Sequence, residues 1–390
     1  MKYNFDEVVD RMGTNSIKWD GMDRVYSRDD ILPLWVADMD FKAPKPVIDA
    51  LIDRAKHGIY GYSFRPDSYY EAIVDWIHKR HGWKIEKDWI EFSPGIVPAI
   101  NIAVMTYTEP GDKIIVQNPV YYPFFSAVEN NNRELLYNQL RLKDGKYFID
   151  FDDLEKKIKS GAKMLILCSP SNPTGRVWTK DELERLGKLC TDNNVLIVSD
   201  EIHSDIVYKE HKHIPIASIS RELLNNTITC MAPSKTFNIA GLSTSEIIIP
   251  NKKLRKKFNK EIERIHVGMT NVFGIEALEA AYREGEEWLD QLLIYLQENV
   301  DFIKEYIANN IPKIEVVDPE GTYLIWLDCR GLGMNNRQLK RFMIEEAKVG
   351  LNDGPVFRQG GEGFQRINIG CPRSILKEGL ERIEKAVKKL

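Results

Sequence analysis

Short, continuous apolar segments constrain the fold of this chain most strongly. Five of them are rich in Ile and Val and lack the polar alternation of a strand with one solvated face: KIIVQ (113–117), KMLILC (163–168), NVLIVSD (194–200), TITCMA (227–232) and SEIIIP (245–250). Such segments are typical of strands buried on both faces of a mostly parallel sheet. Helical patterns lie between several of them, and strand–helix alternation predicts an α/β layered domain.

The pattern changes after about residue 285, where helical segments become more frequent and strands fewer. The segment 286–310 reads as one long helix, a further helix is predicted over 337–348, and 374–390 reads as a terminal helix. These segments predict a separate, smaller α+β unit. The length of 390 residues agrees with two to three domains.

Composition excludes several classes of protein. The chain is 43% hydrophobic and 29% charged, and its net charge is −4, without the basic excess of a nucleic-acid binder. No stretch approaches the 18 apolar residues of a membrane-spanning helix, and the acidic start MKYNFDEVVD is unlike a signal peptide. The five scattered cysteines suggest reduced thiols. We therefore expect a cytoplasmic protein that binds neither nucleic acid nor membrane.

Five polar motifs follow predicted strands at the end where open α/β sheets bind their ligands. They are SPGIVPAI (93–100), NPVYYPF (118–124), SPSNPTGRV (169–177), VSDEIHSD (198–205) and MAPSKTFNIAGL (231–242). Each alone has an ordinary alternative, in the same order: a strand–helix turn, a surface aromatic corner, an Asn-Pro turn, a helix N-cap and a surface lysine. Only their combination and order favour a shared site.

Three residues in these motifs point to specific chemistry. Asp200 ends an apolar strand, and a buried carboxylate needs a partner, such as the protonated ring nitrogen of a cofactor. Lys235 follows another apolar strand, and a lysine with a lowered pKa can form a Schiff base with a carbonyl. Gly95 precedes a helical pattern, where backbone N–H groups can face a phosphate. No residues are assigned as metal ligands.

The ordered set Gly95, Tyr121, Asn172, Asp200, Lys235 and Arg366 resembles the fold-type I pyridoxal-phosphate enzymes of the class I/II aminotransferase superfamily. The resemblance runs from about residue 30 to the C-terminus. It implies a large domain over 46–285 with a mostly parallel seven-stranded sheet flanked by helices. It also implies a smaller α+β domain formed by 1–45 and 286–390.

The resemblance implies a role for each matching residue around the cofactor. Lys235 would hold pyridoxal 5'-phosphate as an aldimine and move the substrate Cα proton. Asp200 would pair with the pyridine nitrogen, and Asn172 with the phenolic oxygen. Tyr121 would stack on the ring beside the substrate.

Further residues would hold the cofactor's phosphate and the substrate. Gly95, Ile96 and Ser234 would bind the phosphate, and Arg366 would bind the substrate α-carboxylate. Tyr60 resembles a tyrosine lent by a partner subunit, which implies a homodimer with its active sites at the subunit interface.

Two departures from the common aminotransferase pattern narrow the resemblance. Ser243 stands where many members have a phosphate-binding arginine, and His203 stands in the cofactor pocket where many have a tyrosine. Together with WVADMDF (35–41), which places Ala37 near the substrate, these changes resemble the carbon–sulfur β-lyases, a branch that includes cystalysin and other cystathionine β-lyases. That branch implies cleavage of L-cystathionine or related cysteine conjugates to pyruvate, ammonia and a thiol.

Two other functions stay open at this point. An amino-acid aminotransferase of the same fold would use every residue named above. A regulatory protein that binds a transcription factor could share the fold, with catalysis secondary.

Overall fold

The computed structural model describes residues 3–390, and most of the chain between the strands is helical. The α-helices are α1 (Met22–Tyr26), α2 (Lys45–His57), α3 (Asp67–His81), α4 (Ile96–Tyr107), α5 (Pro123–Glu129), α6 (Phe151–Lys159), α7 (Lys180–Asp192), α8 (Arg221–Asn226), α9 (Pro233–Thr236), α10 (Lys252–Arg264), α11 (Val272–Glu284), α12 (Glu286–Asn310), α13 (Asn336–Arg341) and α14 (Arg373–Val387).

The strands are short, and all of those in the large sheet except β4 are buried over most of their length. They are β1 (Leu32–Pro33), β2 (Ile90–Ser93), β3 (Lys113–Val116), β4 (Glu134–Tyr137), β5 (Arg141–Lys143), β6 (Lys146–Phe148), β7 (Ala162–Cys168), β8 (Leu196–Asp200), β9 (Thr227–Met231), β10 (Ser245–Ile248), β11 (Glu315–Val316), β12 (Leu324–Asp328), β13 (Val349–Gly350), β14 (Asn352–Asp353) and β15 (Phe364–Asn368).

The large sheet has seven strands in the order β2-β10-β9-β8-β7-β3-β4. Strands β4, β3, β7, β8 and β9 pair in parallel, whereas β10 runs antiparallel to both β9 and β2. The predicted mostly parallel seven-stranded α/β sheet is confirmed. The apolar segments did not reveal that β10 runs in the opposite direction, because periodicity carries no information about strand direction.

Helices cover both faces of this sheet. On one face, a core cluster joins α4, α5 and α10 to the sheet through residues such as Ile100, Phe124 and Phe258. On the other face, a second cluster joins α6 and α7 through residues such as Leu154 and Leu183. Burial on both faces explains why the strands read as continuous apolar segments.

Helix ends follow local sequence signals. Thr179 and Glu182 form a capping box at the start of α7, in which each side chain bonds the other's backbone N–H. Helix α3 ends at Gly82, whose φ of +68° is the left-handed conformation that glycine adopts most readily. These signals fix where the helices that flank the sheet begin and end.

A second, antiparallel sheet of four strands, in the order β11-β12-β15-β14, lies in the C-terminal part of the chain. The N-terminal strand β1 pairs in parallel with β13. The division into 46–285 and 1–45 with 286–390 stays a prediction. The prediction of one continuous α-helix over 337–348 is wrong, because α13 passes into a π-helical turn at Phe342–Glu346.

Candidate active site

A cavity of about 220 Å³ lies at the carboxyl ends of the parallel strands. Nine of the residues that the sequence predicted for the site line it together: Ala37, Gly95, Ile96, Tyr121, Asn172, Asp200, His203, Ser234 and Lys235. Sequence reasoning did not include the other lining residues, Val97, Pro98, Cys168, Ile202 and Ala240. Cys168 is the last residue of β7, so its position at a strand end was the available signal.

Lys235 lies on α9, a single helical turn that directly follows β9. Its Nζ donates a hydrogen bond to the backbone oxygen of Ala37 at 2.7 Å, and the hydroxyl of Tyr323 donates to the same oxygen at 3.0 Å. The surrounding protein shields the amine from water, which lowers the pKa of Lys235 to about 8. A larger fraction of this amine is therefore neutral, and nucleophilic, near neutral pH than of an ordinary lysine.

Asp200 is the last residue of β8 and is buried. Its Oδ1 accepts a hydrogen bond from the backbone N–H of Ile202 at 3.1 Å. Burial raises the pKa of Asp200 to about 7, against the smaller opposing effects of that hydrogen bond and of Lys235. A carboxylate in this setting would be stabilised by a cationic ligand group in the cavity.

His203 and Tyr121 add two rings to the cavity. Burial lowers the pKa of His203 to about 3, so its imidazole is neutral at pH 7. Its ring meets Tyr323 edge-on with centroids 5.9 Å apart, and Nδ1 is buried without a hydrogen-bond partner among residues 3–390. Burial raises the pKa of Tyr121 to about 12, which keeps its phenol protonated.

The N-terminus of α4 borders the cavity. Gly95 is its N-cap residue and Ile96 its first residue, and Ser234 lines the cavity as well. The first backbone N–H groups of a helix have no partner within it, so this end suits an anionic group. A Cβ at Gly95 would meet only Pro98 Cδ, at 3.6 Å, so nothing within the chain requires glycine there.

Arg366, on β15, borders the site from the second sheet. Its guanidinium donates to Asn172 Oδ1 at 2.9 Å, to the backbone oxygen of Trp35 at 2.9 Å and to Asn352 Oδ1 at 2.5 Å. Burial lowers the pKa of Arg366 to about 10, and its Nε has no partner among the described residues. Sequence reasoning missed Trp35, which is far from Arg366 in the chain, and Asn352, which lies opposite Arg366 on the neighbouring strand β14.

Tyr60 lies outside the cavity of its own chain. Its hydroxyl donates to the backbone oxygen of Ala55 at 2.6 Å, and 55% of the residue is exposed. Tyr62 and Phe64, which follow it, are 95% and 83% exposed. An exposed apolar run of this kind is typical of a surface that contacts another protein.

The segment that carries Ala37 is held by two asparagine side chains that sequence reasoning missed. Asn238 Nδ2 donates to the backbone oxygens of Met39 and Phe41 at 2.9 and 2.8 Å. Asn368 Nδ2 donates to those of Val36 and Asp38, both at 2.6 Å. The available signal was proximity, since Asn238 and Asn368 follow Lys235 and Arg366 closely in sequence.

Two kinds of feature are absent from residues 3–390. No helix there is both long and apolar enough to cross a bilayer. No group of three or more His, Cys, Asp or Glu side chains there is arranged to hold a metal ion.

Comparisons with known proteins agree with this geometry. The aminotransferase class I and II family matches residues 29–383. The chain is 45% identical to cystathionine beta-lyase PatB of Bacillus subtilis (strain 168), over 98% of this chain and 100% of that protein. It superposes on cystalysin of Treponema denticola, whose structure contains pyridoxal 5'-phosphate, with a TM-score of 0.97 at 40% identity, covering all of both chains.

A third similar protein has a less specific description. It is a pyridoxal-phosphate-bound protein of Clostridium difficile 630, provisionally described as an aminotransferase, with a TM-score of 0.98 and 52% identity. The match covers 99% of this chain and 100% of that one. Family match, full-length identity and shared fold lead to one conclusion: the chain belongs to the class I and II aminotransferase family.

Proposed function

We propose that this chain is a pyridoxal-phosphate-dependent carbon–sulfur β-lyase that acts on L-cystathionine or a related cysteine conjugate. The observation that carries the proposal is the pairing of Lys235 and Asp200 in one cavity: a lysine whose pKa is about 8 and a buried carboxyl whose pKa is about 7. The likeness to curated cystathionine β-lyases over nearly the whole chain supports the choice of reaction.

The cavity residues fit this cofactor by the chemistry of their donors. Lys235 offers an amine to its aldehyde, and Asp200 offers a carboxylate to its pyridine nitrogen. Asn172 accepts from Arg366 through Oδ1, which leaves its amide N–H groups for the phenolic oxygen. The first turn of α4 and Ser234 offer donors to the phosphate, and Tyr121 offers an aromatic face to the ring.

When bound, the cofactor supplies an electron sink for the pair left at the substrate Cα. The neutral Nζ of Lys235 takes the Cα proton as general base. The Cβ–S bond breaks with its electron pair on sulfur, which then takes up a proton. The net reaction consumes one water and gives a thiol, pyruvate and ammonia; from cystathionine the thiol is homocysteine.

Arg366 is proposed to bind the substrate α-carboxylate. Its guanidinium is held by three oxygen acceptors in a buried position, so its orientation is fixed before substrate arrives. A bidentate pair between guanidinium and carboxylate adds geometric specificity to charge attraction. Ala37 lies in the same cavity and is proposed to face the substrate.

A homodimer is part of the proposal. Tyr60 and the exposed apolar residues after it lie on the surface, and Tyr60 is proposed to reach the phosphate site of a second copy. A cytoplasmic location stays a prediction.

Product analysis tests the proposed reaction. The purified protein is incubated with L-cystathionine and no keto acid, and pyruvate and free thiol are measured. We expect both products in equal amounts. Products that appear only when a keto acid is added would favour the aminotransferase and overturn the lyase proposal. No contact in the structure favours the alternative of a regulatory protein that binds a transcription factor.

A further inference from the structure

A buried carboxylate close to Lys235 has no role in the proposed reaction. Asp205 is the last residue of the motif VSDEIHSD (198–205), which also contains Asp200, but it does not line the cavity. Its side chain is only 4% exposed. A buried charge is costly unless it is paired and hydrogen-bonded, so its partners indicate what it does.

Asp205 has three partners, one on α9 and two on α3. Its Oδ2 accepts hydrogen bonds from the hydroxyl of Thr236 at 2.9 Å and from Nε1 of Trp76 at 3.2 Å. Its Oδ1 lies 3.0 Å from Nε2 of His81, at the end of α3. Burial alone would raise the pKa of Asp205, but these partners hold it below its ordinary value, so the carboxylate is charged at neutral pH.

Thr236 is the residue after Lys235 and the last of α9. A helix of one turn is not stable alone, because the cost of nucleation is not recovered by further hydrogen bonds. The Thr236 hydroxyl therefore ties α9 to the core on one side. On the other side, Lys235 Nζ bonds the Ala37 oxygen in the cavity.

We propose that Asp205 is a positioning residue for Lys235: through the Thr236 hydroxyl it fixes the helical turn from which the amine reaches the cavity. The inference rests on the proposed function, since it takes Lys235 as the residue that holds the cofactor and moves the proton. A shift of about 1 Å in a reacting group can cost about 100-fold in rate, so loss of this tether acts on the amine at a distance.

Three threonine variants test the role. Thr236→Val removes the hydroxyl at nearly constant shape, and Thr236→Ser restores it. Thr229→Val is the matched control, because the Thr229 hydroxyl is buried in β9 and has no hydrogen-bond partner in the part of the chain that the structure describes. For each variant, kcat and KM for L-cystathionine are measured. The rate at which added pyridoxal 5'-phosphate attaches to Lys235 of the cofactor-free protein is followed by visible absorbance.

For Thr236→Val we expect kcat and the attachment rate to fall about 10- to 100-fold, with KM within about threefold. Thr236→Ser and Thr229→Val should stay within about threefold of the parent in both measurements. Wild-type values in Thr236→Val would overturn the proposal. So would a serine variant as impaired as the valine variant, because size rather than the hydroxyl would then matter.

Two further outcomes are separable. If Thr236→Val does not fold, Asp205→Ala replaces it in the comparison. This variant should slow cofactor attachment by a similar factor, with its KM for L-cystathionine near the parent value. An unchanged attachment rate would overturn the proposal. If the parent chain releases no pyruvate from any cysteine conjugate, the proposed function fails. The attachment rates still decide the positioning role, because they need no turnover.

Discussion

Asp200 and Asp205 are buried aspartates of one motif, yet they lie in opposite electrostatic settings. Asp200 faces the cavity, accepts one backbone hydrogen bond, and has its pKa raised to about 7 by burial. Asp205 faces the core, has partners on Thr236, Trp76 and His81, and has its pKa lowered. Only four residues lie between the two in sequence.

This difference distinguishes polar groups that a bound ligand would satisfy from polar groups that stabilise the protein core. On the cavity side, the charge of Lys235 offsets only part of the cost of burying Asp200, and both His203 Nδ1 and Arg366 Nε are buried without a partner among residues 3–390. On the core side, Asp205 Oδ2 accepts two hydrogen bonds, whereas Oδ1 accepts none from the described residues and lies 3.0 Å from His81 Nε2. Buried polar groups are normally satisfied, so the unsatisfied cavity groups are those that a cofactor and substrate would complete.

The largest expected effect comes from removing the amine on the cavity side. Lys235→Ala should lower kcat for cystathionine cleavage by about 10³-fold or more, because both covalent attachment and proton transfer at Nζ are lost. The melting temperature should change little. Steady-state kinetics and thermal unfolding measure both quantities, and substantial activity in the variant would contradict a cavity-side role for Lys235.

A smaller loss is expected at the edge of the cavity. Arg366→Lys keeps the charge but removes the planar fork, so kcat/KM for an amino-acid substrate should fall about 10- to 100-fold. Assay with a substrate analogue that lacks the α-carboxylate provides the control, since the variant should not lose rate with it. An equal loss with both substrates would place Arg366 among the structural groups.

In the cofactor-free protein, substitutions of the two aspartates should change the free energy of unfolding in opposite directions. Asp200→Asn is expected to raise the free energy of unfolding at pH 8 by about 2 kcal/mol, because it removes a charge whose burial cost Lys235 only partly offsets. Asp205→Asn is expected to lower it by about 2 kcal/mol, because it weakens charged hydrogen bonds. Urea unfolding measures both, and effects of the same sign would break the comparison.

The dependence on pH follows from the same shifts. Because the folded pKa of Asp200 is raised from 3.8 to about 7, the protein binds this proton more tightly when folded. Its contribution to stability is full below pH 3.8 and is lost as pH rises through 7. The Asp200→Asn variant should lack this decline, which urea unfolding between pH 5 and about 8 would reveal.

The sequence predicted the cavity side of this comparison well and the core side poorly. Asp200, Asn172 and Lys235 each follow an apolar strand, and parallel strands bring their carboxyl ends to one edge of a sheet. Beyond the end of a strand, side chains no longer alternate regularly between its two faces. The sequence therefore did not indicate that the side chain of Asp205 faces the core.

Long-range partners were beyond sequence reasoning for a related reason. Trp35 and Asn352 reach Arg366 from segments that are far apart in the chain. The position of Trp35 depends on how the N-terminal segment packs beside the second sheet, and that of Asn352 on the register of β14 against β15, which no local pattern encodes. Asn238 and Asn368 could have been suspected from their closeness to Lys235 and Arg366, but their acceptors could not.

The smallest expected effect is at Tyr60, which lies on the surface, away from both Asp200 and Asp205. Tyr60→Phe should weaken retention of the cofactor about two- to tenfold, the range for loss of one hydrogen bond. The mass of the native assembly should stay unchanged. Dialysis of the loaded protein followed by cofactor assay measures retention, and full retention would remove Tyr60 from the proposed site.

Chemical trapping tests most directly the claim that the cavity side is completed by a cofactor on Lys235. The purified protein is loaded with pyridoxal 5'-phosphate, reduced with borohydride, digested and mapped by mass spectrometry. We predict one stoichiometric phosphopyridoxyl adduct, on Lys235, which is absent from Lys235→Ala and present in Thr229→Val. An adduct spread over surface lysines, or none at Lys235, would contradict the account.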